Sequence, residues 1–227
     1  MSWFSSTFSG SIGRKILVAL TGLFLCSFLV IHLIGNFQLF KNDSGEAFNS
    51  YSLFMTSNPL IKIISYVLYA SILLHVIISI LLTLQNKKAR PVGYAYSKPE
   101  ANSAWNSRNM GILGTIILIF IVIHMRTFWF SYHFEASPMF TLENGTVVKD
   151  LYAQVVIAFS KWWYTALYVF SMIALGYHLH HGFQSGFQTL GLNHKKYTPF
   201  IRQFGLWFSI IVAAGFAIIP LYIYFLH

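Results

Sequence analysis

Five long apolar runs divide the chain, and shorter polar segments separate them. Each run is long enough to cross about 30 Å of hydrocarbon as an α-helix. The runs are Ile16–Asn36, Ile61–Leu84, Gly111–Phe130, Trp162–Gln184 and Gly205–Phe225. This pattern predicts an all-α integral membrane bundle of five transmembrane helices that forms one domain over residues 1–227.

The composition agrees with a membrane protein. Hydrophobic residues make up 56% of the chain and charged residues only 9%, whereas about a quarter of an ordinary soluble domain is charged. Cys26 is the only cysteine, which excludes an internal disulfide, a CxxCH haem attachment and a cysteine-ligated cluster in this chain. The N-terminal segment lacks an A-x-A cleavage pattern, so we expect the first run to be retained as a span.

The charges predict the orientation of the spans. One set of basic residues lies in the N-terminal segment and in the second and fourth loops: Arg14, Lys15, Lys87, Lys88, Arg90, Lys98, Arg108, Lys195, Lys196 and Arg202. Most acids lie in the other two loops: Asp43, Glu46, Glu135, Glu143 and Asp150. The positive-inside rule then places the N-terminus in the cytoplasm and the C-terminus outside. The net charge of +9 therefore indicates topology rather than a nucleic-acid partner.

The first four spans each contain one histidine that falls at one of two depths. Helix rise puts His32 and His124 roughly 25 and 21 Å from the cytoplasmic boundary. The same arithmetic puts His75 and His178 at roughly 15 and 12 Å, so the two levels differ by roughly 10 Å. Each level takes its two histidines from two different helices.

A six-coordinate haem needs this arrangement, because one imidazole must bind the iron from each side. The pattern therefore predicts two b-type haems, one above the other across the bilayer. A single histidine within a span is often a polar residue that bonds a neighbouring helix. Four histidines sorted into two levels are harder to explain by packing, and ionisable residues within a membrane are candidate functional residues.

The fourth span leaves the choice of ligand open between two histidines. His178 and His181 share one helix face, whereas His180 is about 200° around the helix from His178. The depth of His178 is nearest to that of His75. The depths of His178 and His181, however, differ by less than the uncertainty in the span boundary. With His178 as the ligand, His181 suits a haem propionate or a quinone oxygen, and His180 suits a lipid headgroup. The simpler explanation for both His180 and His181 is an interfacial polar cap.

The motifs resemble the single-chain, five-helix, dihaem cytochrome b subunit of succinate dehydrogenases and fumarate reductases over nearly the whole chain. The matching stretches are TGLFLCSFLVIHLIGN, EAFNSYSLFMTSNPL (the first outer loop), LHVIIS, VIHMR and HLHHGFQSGFQTLG. By this resemblance His32 and His124 hold the outer haem, and His75 and His178 hold the inner one. In the family's fourth helix a histidine precedes a glycine by four residues, which selects His178 over His181.

The resemblance also implies partners and a location. A flavoprotein subunit and an iron–sulfur subunit on the cytoplasmic face would interconvert succinate and fumarate, in the cytoplasmic membrane of a bacterium. This chain has no flavin or cluster motif and no succinate chemistry of its own, so it would supply the quinone half of the reaction. Menaquinone is the quinone that dihaem members commonly use. None of the five spans contains Asp or Glu, so no carboxylate within the membrane is a candidate for proton transfer.

Four charged residues are further candidates for binding, each with a simpler explanation. Arg126 at membrane depth suits a haem propionate, or its side chain reaches the outer surface. Arg14 and Arg108 suit inner propionates, a quinone or the iron–sulfur partner, or they only follow the positive-inside rule. Glu46 suits quinone protonation near the outer haem, or it is a solvated loop acid.

Three other functions remain open from the residues. Dihaem subunits of the same general kind anchor nitrate reductases, hydrogenases or formate dehydrogenases, with different histidine placement. A transporter that uses histidines for metal ions or protons would bind zinc or no cofactor. A bare structural anchor would carry at most one haem.

Overall fold

The computed structural model describes residues 10–89 and 103–226. Its helices are α1 Ser11–Asn36, α2 Glu46–Ser57, α3 Pro59–Lys88, α4 Trp105–Arg108, α5 Met110–His124, α6 Ser131–Phe134, α7 Leu151–Phe159, α8 Trp162–Thr189 and α9 Thr198–Leu226. A 3₁₀ turn, Phe37–Phe40, follows α1, and a π-helical turn, Met125–Phe130, joins α5 to α6. Strands β1 Met139–Thr141 and β2 Val147–Lys149 pair as an antiparallel hairpin. The basic loop residues Arg90 and Lys98 lie outside the described residues.

The predicted helical membrane bundle is confirmed in its coarse form. Within the described ranges, four helical segments are long and apolar enough to cross a membrane: Ser11–Phe40, Pro59–Lys88, Met110–Phe134 and Thr198–Leu226. Helix α8 is long and apolar enough to count as a candidate span only when it is taken together with α7. The two helices are bent by 94° relative to each other. The chain is therefore a multi-pass membrane protein with four or five candidate spans.

The lower apolarity of α8 follows from its position in the bundle. Helix α8 packs against α9, α1 and α5, and ten of its residues are buried. Helix α3 has only two buried residues. Because a helix surrounded by protein meets little lipid, it can carry polar groups that a lipid-facing helix cannot. Helix α8 accordingly contains three histidines and two glutamines.

Glycines set the close packing of α9 against its neighbours. A Cβ atom added at Gly215 would lie 2.9 Å from the Leu33 side chain, and one at Gly205 would lie 2.8 Å from Phe183. Both distances are too short for a real Cβ contact. Small residues of this kind let helices approach closely in a membrane, where van der Waals packing drives their association.

The charged residues separate toward the two ends of the bundle. We call the end that holds α2, α7 and the hairpin the acidic end, because it carries Asp43, Glu46, Glu135, Glu143 and Asp150. We call the opposite end the basic end; its described basic residues are Arg14, Lys15, Lys87, Lys88, Arg108, Lys195, Lys196 and Arg202. The acidic end also carries Lys41, Lys62, Arg126, Lys149 and Lys161, so its formal charges balance, whereas the described basic end is strongly positive.

A buried amide holds the acidic end together. Asn49 of α2 is 1% exposed, and its Nδ2 donates to Asp150 Oδ1 over 2.9 Å. Its Oδ1 accepts from the backbone N–H groups of Leu151 and Tyr152, at 3.0 and 3.1 Å. Asn49 thus caps the start of α7 from another helix. The segment that the resemblance matched to an outer loop is mostly the helix α2.

We expect Asn49→Asp to destabilise the protein. The change keeps the shape of the side chain and its acceptor oxygen, but it places a second carboxylate against Asp150 in a buried site. The expected loss is about 2–4 kcal/mol of unfolding free energy, measured by thermal unfolding in detergent micelles. The matched control is Ser50→Ala at an exposed position of the same helix, which should leave the transition unchanged. Equal transitions for both variants would contradict this role of Asn49.

Candidate functional site

The structure brings the four membrane histidines together as two pairs. The ring centroids of His32 and His124 are 5.8 Å apart, and those of His75 and His178 are 6.5 Å apart. The first pair joins α1 to α5, and the second joins α3 to α8. These are the partners that the depth estimate predicts, while their role as haem ligands stays a prediction.

Contacts along single helices give the separation of the two levels. On α1, Thr21 contacts His75, and His32 contacts His124. The two positions are eleven residues apart in the sequence, which corresponds to about 16 Å of helix axis. The estimate of roughly 10 Å from the sequence was too small, because it measured each histidine from a separately placed span boundary.

An aromatic wall surrounds the pair near the acidic end. His32 stacks on Phe28 with a centroid distance of 5.2 Å, and its ring also lies 5.6 Å from that of Phe216. His124 lies between Phe120 and Phe128, at 5.7 and 5.3 Å. These rings make a dry, apolar environment on both sides of the pair, of the kind that packs against the face of a planar aromatic ligand.

A chain of two tyrosines orients one imidazole of this pair. The Tyr168 hydroxyl lies 3.1 Å from His124 Nδ1 and 2.9 Å from the Tyr164 hydroxyl. The Tyr168 hydroxyl can accept a hydrogen bond from Nδ1–H of His124 while it donates one to the Tyr164 hydroxyl. That arrangement leaves Nε2 of His124 with a free lone pair. Imidazoles that bind metals commonly donate their other N–H group in this way.

Thr21 orients an imidazole of the second pair. Its hydroxyl donates to the carbonyl oxygen of Leu17 over 2.7 Å and lies 3.1 Å from His75 Nδ1. Because the hydroxyl proton is engaged, the oxygen accepts from Nδ1–H of His75 and leaves Nε2 free. In each pair, therefore, one imidazole is held at Nδ1 by a hydroxyl group and keeps the lone pair of its Nε2 available.

Two further features distinguish the second pair. Nδ1 of His178 is buried and has no hydrogen-bond partner among the described residues, and a buried unpaired nitrogen needs an explanation. The backbone also approaches the rings closely at two glycines. A Cβ added at Gly22 would lie 3.1 Å from His75 Cε1, and one at Gly114 would lie 3.8 Å from His178 Cε1.

The spacing of both pairs fits a shared metal ion. A metal–imidazole nitrogen bond is about 2 Å long, so two rings on one ion have centroids about 6 Å apart. The observed 5.8 and 6.5 Å lie on either side of that value. Among residues 10–89 and 103–226, no three or more His, Cys, Asp or Glu side chains form a metal-binding group. The arrangement thus offers two imidazoles at a time, as a haem with four ligands of its own requires.

The helix that carries His124 changes its hydrogen bonding directly after that residue. The π-helical turn Met125–Phe130 begins there. Such turns insert an extra residue into a helix and occur often at functional sites. Here the turn lets Thr127 offer its carbonyl oxygen to Gln154 of α7 over 2.6 Å, which anchors the end of the span beside the site.

Arg126 forms an ion pair at the surface of the acidic end. Its Nη2 lies 2.7 Å from Glu135 Oε1, and the side chains are 59% and 40% exposed. The guanidinium also lies 4.7 Å from the centre of the Phe130 ring. Hydrogen bonds from Ser131 and Arg126 lower the pKa of Glu135 below its usual range. The structure places Arg126 toward the surface, which matches the simpler of its two explanations.

The other candidate residues lie at both ends of the bundle. Arg14 is half-exposed in the first turn of α1, and exposed Arg108 donates to the backbone oxygen of Ser103. Glu46 accepts from the backbone N–H of Glu143 over 3.2 Å, so it helps to hold the hairpin against α2. These positions leave their proposed binding roles as predictions.

The three histidines of α8 face different neighbours. His180 Nδ1 lies 3.2 Å from Nδ2 of Asn106, a residue of α4 that is 8% exposed. Oδ1 of Asn106 accepts from the Ser107 backbone N–H, which fixes the amide with its Nδ2 as the donor. His180 thus faces α4 while His178 faces His75, as their angular separation predicts. His181 is half-buried between these two directions.

Sequence reasoning did not identify the residues that orient the imidazoles. Thr21 carried a usable signal, because it precedes His32 by eleven residues, or about three helical turns, and so shares its face. Tyr168 and Asn106 carried none, since their partners lie on other helices and only the packed bundle brings them together.

Comparisons of the chain with family models, with curated proteins and with solved structures give no match. The function is therefore argued from the geometry of the two imidazole pairs and from the chemistry of the residues around them.

We expect Gly22→Val to disturb the His75 contact with α1. The new side chain would meet the His75 ring, and overpacking of this kind costs about 1–3 kcal/mol of unfolding free energy. Thermal unfolding of the purified protein in detergent measures the change. The matched control is Gly111→Val, because a Cβ at Gly111 meets nothing within 4 Å. If both variants unfold alike, the close approach at Gly22 does not constrain the pair.

Proposed function

We propose that the chain is the membrane-anchor cytochrome b subunit of a succinate:quinone oxidoreductase. It passes electrons between an iron–sulfur subunit and a membrane quinone, with menaquinone as the expected quinone. The observation that carries this proposal is the meeting of four intramembrane imidazoles as two pairs at two levels. The succinate and quinone parts rest on the resemblance of the histidine motifs to those of the dihaem subunits.

In this proposal each imidazole pair holds one haem b. His32 and His124 bind the haem near the acidic end, and His75 and His178 bind the one near the basic end. A bound haem b supplies one-electron transfer through the ferrous and ferric states of its iron. Thr21 and Tyr168 hold two of the ligand rings in a fixed orientation, and the aromatic wall excludes water.

The proposed topology follows from the separation of charge. The basic end faces the cytoplasm by the positive-inside rule, so five spans leave the N-terminus inside and the C-terminus outside a bacterial cytoplasmic membrane. The flavoprotein and iron–sulfur subunits bind at the basic end. Candidate propionate or quinone contacts are Arg14, Arg108 and His181 there, and Arg126 and Glu46 at the acidic end.

We expect two b-type haems per chain, and we expect the ligand variants to act in pairs. Six-coordination needs both imidazoles, so His32→Ala and His124→Ala should each remove the same haem. His75→Ala and His178→Ala should remove the other. The pyridine haemochrome assay gives the stoichiometry, and low-temperature optical spectra identify which haem remains.

The control for this experiment lies on the same helix. His180→Ala should retain both haems, because His180 faces Asn106 rather than either pair. Loss of a low-spin signal in His181→Ala but not in His178→Ala would show that the ligand is His181. A haem content near one or zero per chain would contradict the two-haem proposal.

We also expect the iron–sulfur subunit to dock at the basic end. The reason is that electron entry requires the soluble donor to approach the haem nearer to that end. In a Cys26→Ser background, Lys88→Cys should cross-link to the iron–sulfur subunit in the intact complex, while Glu143→Cys at the acidic end should not. The masses of the captured subunits also identify the parent enzyme. Capture only from position 143 would reverse the proposed topology.

A further inference from the structure

An open pocket lies between α8 and α9 at the basic end of the bundle. Its volume is about 630 Å³, and His180, His194, Lys195, Arg202, Gln184 and Leu206 are among the residues that line it. The pocket is separate from the two imidazole pairs, because none of the four paired histidines lines it. Nothing in the proposed electron transfer uses it.

The lining is strongly one-sided in charge. It contains one lysine, one arginine and two histidines, and it contains no carboxylate. Every acidic residue that the structure describes lies at the opposite end of the molecule. The positive field in the pocket is therefore not compensated within the described part of the chain, and it favours an anion.

The hydrogen bonds around the pocket hold its walls in place. The Thr198 hydroxyl donates to Asn193 Oδ1 over 2.7 Å and accepts from the His194 backbone N–H over 3.0 Å. Nδ1 of His194 in turn accepts from the Lys196 backbone N–H over 3.1 Å. On the other wall, the bond from Asn106 to Nδ1 of His180 leaves Nε2 as the donor of that ring. The pocket is thus preorganised and rich in donors.

The position of the pocket along α9 places it at the surface of the membrane. Helix α9 begins at Thr198, and large exposed aromatic side chains lie at this start and in the first turns of the helix. They are Tyr197, Phe200, Phe204 and Trp207, with exposed fractions of 58%, 70%, 51% and 54%. Exposed aromatic residues at the end of a span lie at the level of the lipid headgroups. An anion in this pocket would therefore be at the depth of a phospholipid phosphate.

We infer that this pocket binds the phosphate-bearing headgroup of an anionic phospholipid. Lys195 and Arg202 provide the charge for the phosphate, and the amides and His180 provide hydrogen-bond donors. Leu206 of the pocket lining contacts the start of the acyl chains. Basic pockets between membrane helices on the cytoplasmic side are suited to such headgroups. The inference requires only that the chain spans a membrane, and it is independent of the haems.

The test compares lipid probes on the purified full chain in a neutral detergent. Dioleoylphosphatidylglycerol, dioleoylphosphatidylcholine and sodium phosphate are each titrated, and thermal unfolding and tryptophan fluorescence are recorded. The anionic lipid should raise the unfolding temperature in a saturable way and lose this effect at high salt. The zwitterionic lipid and inorganic phosphate should have little effect at the same concentrations.

The variant for this test is Lys195→Gln/Arg202→Gln. It should bind the anionic lipid at least about tenfold more weakly, because each basic residue near an anionic lipid strengthens binding several-fold. The matched control is Lys41→Gln/Lys62→Gln, which removes the same charge from the acidic end and should bind as the wild type does. Circular dichroism in neutral detergent shows that each variant is folded.

Three outcomes would overturn the inference. Equal protection by inorganic phosphate and by the anionic lipid would make the pocket a site for free anions. Equal lipid binding by the two double variants would make the effect one of general charge. If Lys195→Gln/Arg202→Gln no longer cross-links to the iron–sulfur subunit but still binds the lipid, the pocket is a protein-docking surface.

Discussion

A polar side chain in the lipid-embedded part of a protein must find its partner within the protein, because hydrocarbon offers none. Four imidazoles meet here in two pairs, yet the buried Nδ1 of His178 has no hydrogen-bond partner among the described residues. Each pair joins two helices that are not consecutive along the chain. The pairs therefore restrict how the bundle can assemble. Thr21 and Tyr168 extend the same constraint, since their hydroxyl groups bond to the rings.

Helix α8 carries three histidines and two glutamines, and it has more buried residues than any other described helix. Its burial explains why it is less apolar than the other long helices and why it needs a firm anchor at its start. The Thr165 hydroxyl provides one by donating to the Phe159 backbone oxygen over 2.9 Å, across the sharp bend from α7. The Tyr164–Tyr168 hydrogen bond follows directly along the helix, so the anchor, the bend and the ring of His124 form one connected unit.

Two simple physical rules made much of this architecture predictable from the sequence. Hydropathy identified the long lipid-facing helices because each must cover the thickness of the bilayer. Helix rise sorted the histidines into their pairs because a fixed rise converts residue number into depth. The same rules could not identify the contact of α2 with α7, because Asn49 caps a helix that begins 102 residues later in the chain. They also missed Tyr168, which meets His124 only after α5 and α8 have packed together.

The two ends of the bundle differ in how their charges are satisfied. At the acidic end the chain pairs its own groups, as in Arg126 with Glu135 and Asn49 with Asp150. At the basic end the described residues supply cations without a single carboxylate. The positive charges of the basic end are not balanced by carboxylates among the described residues, so this end favours contact with anions. Lipid headgroups are one such anion, and the pocket beside α9 is the part of the basic end that we infer meets them.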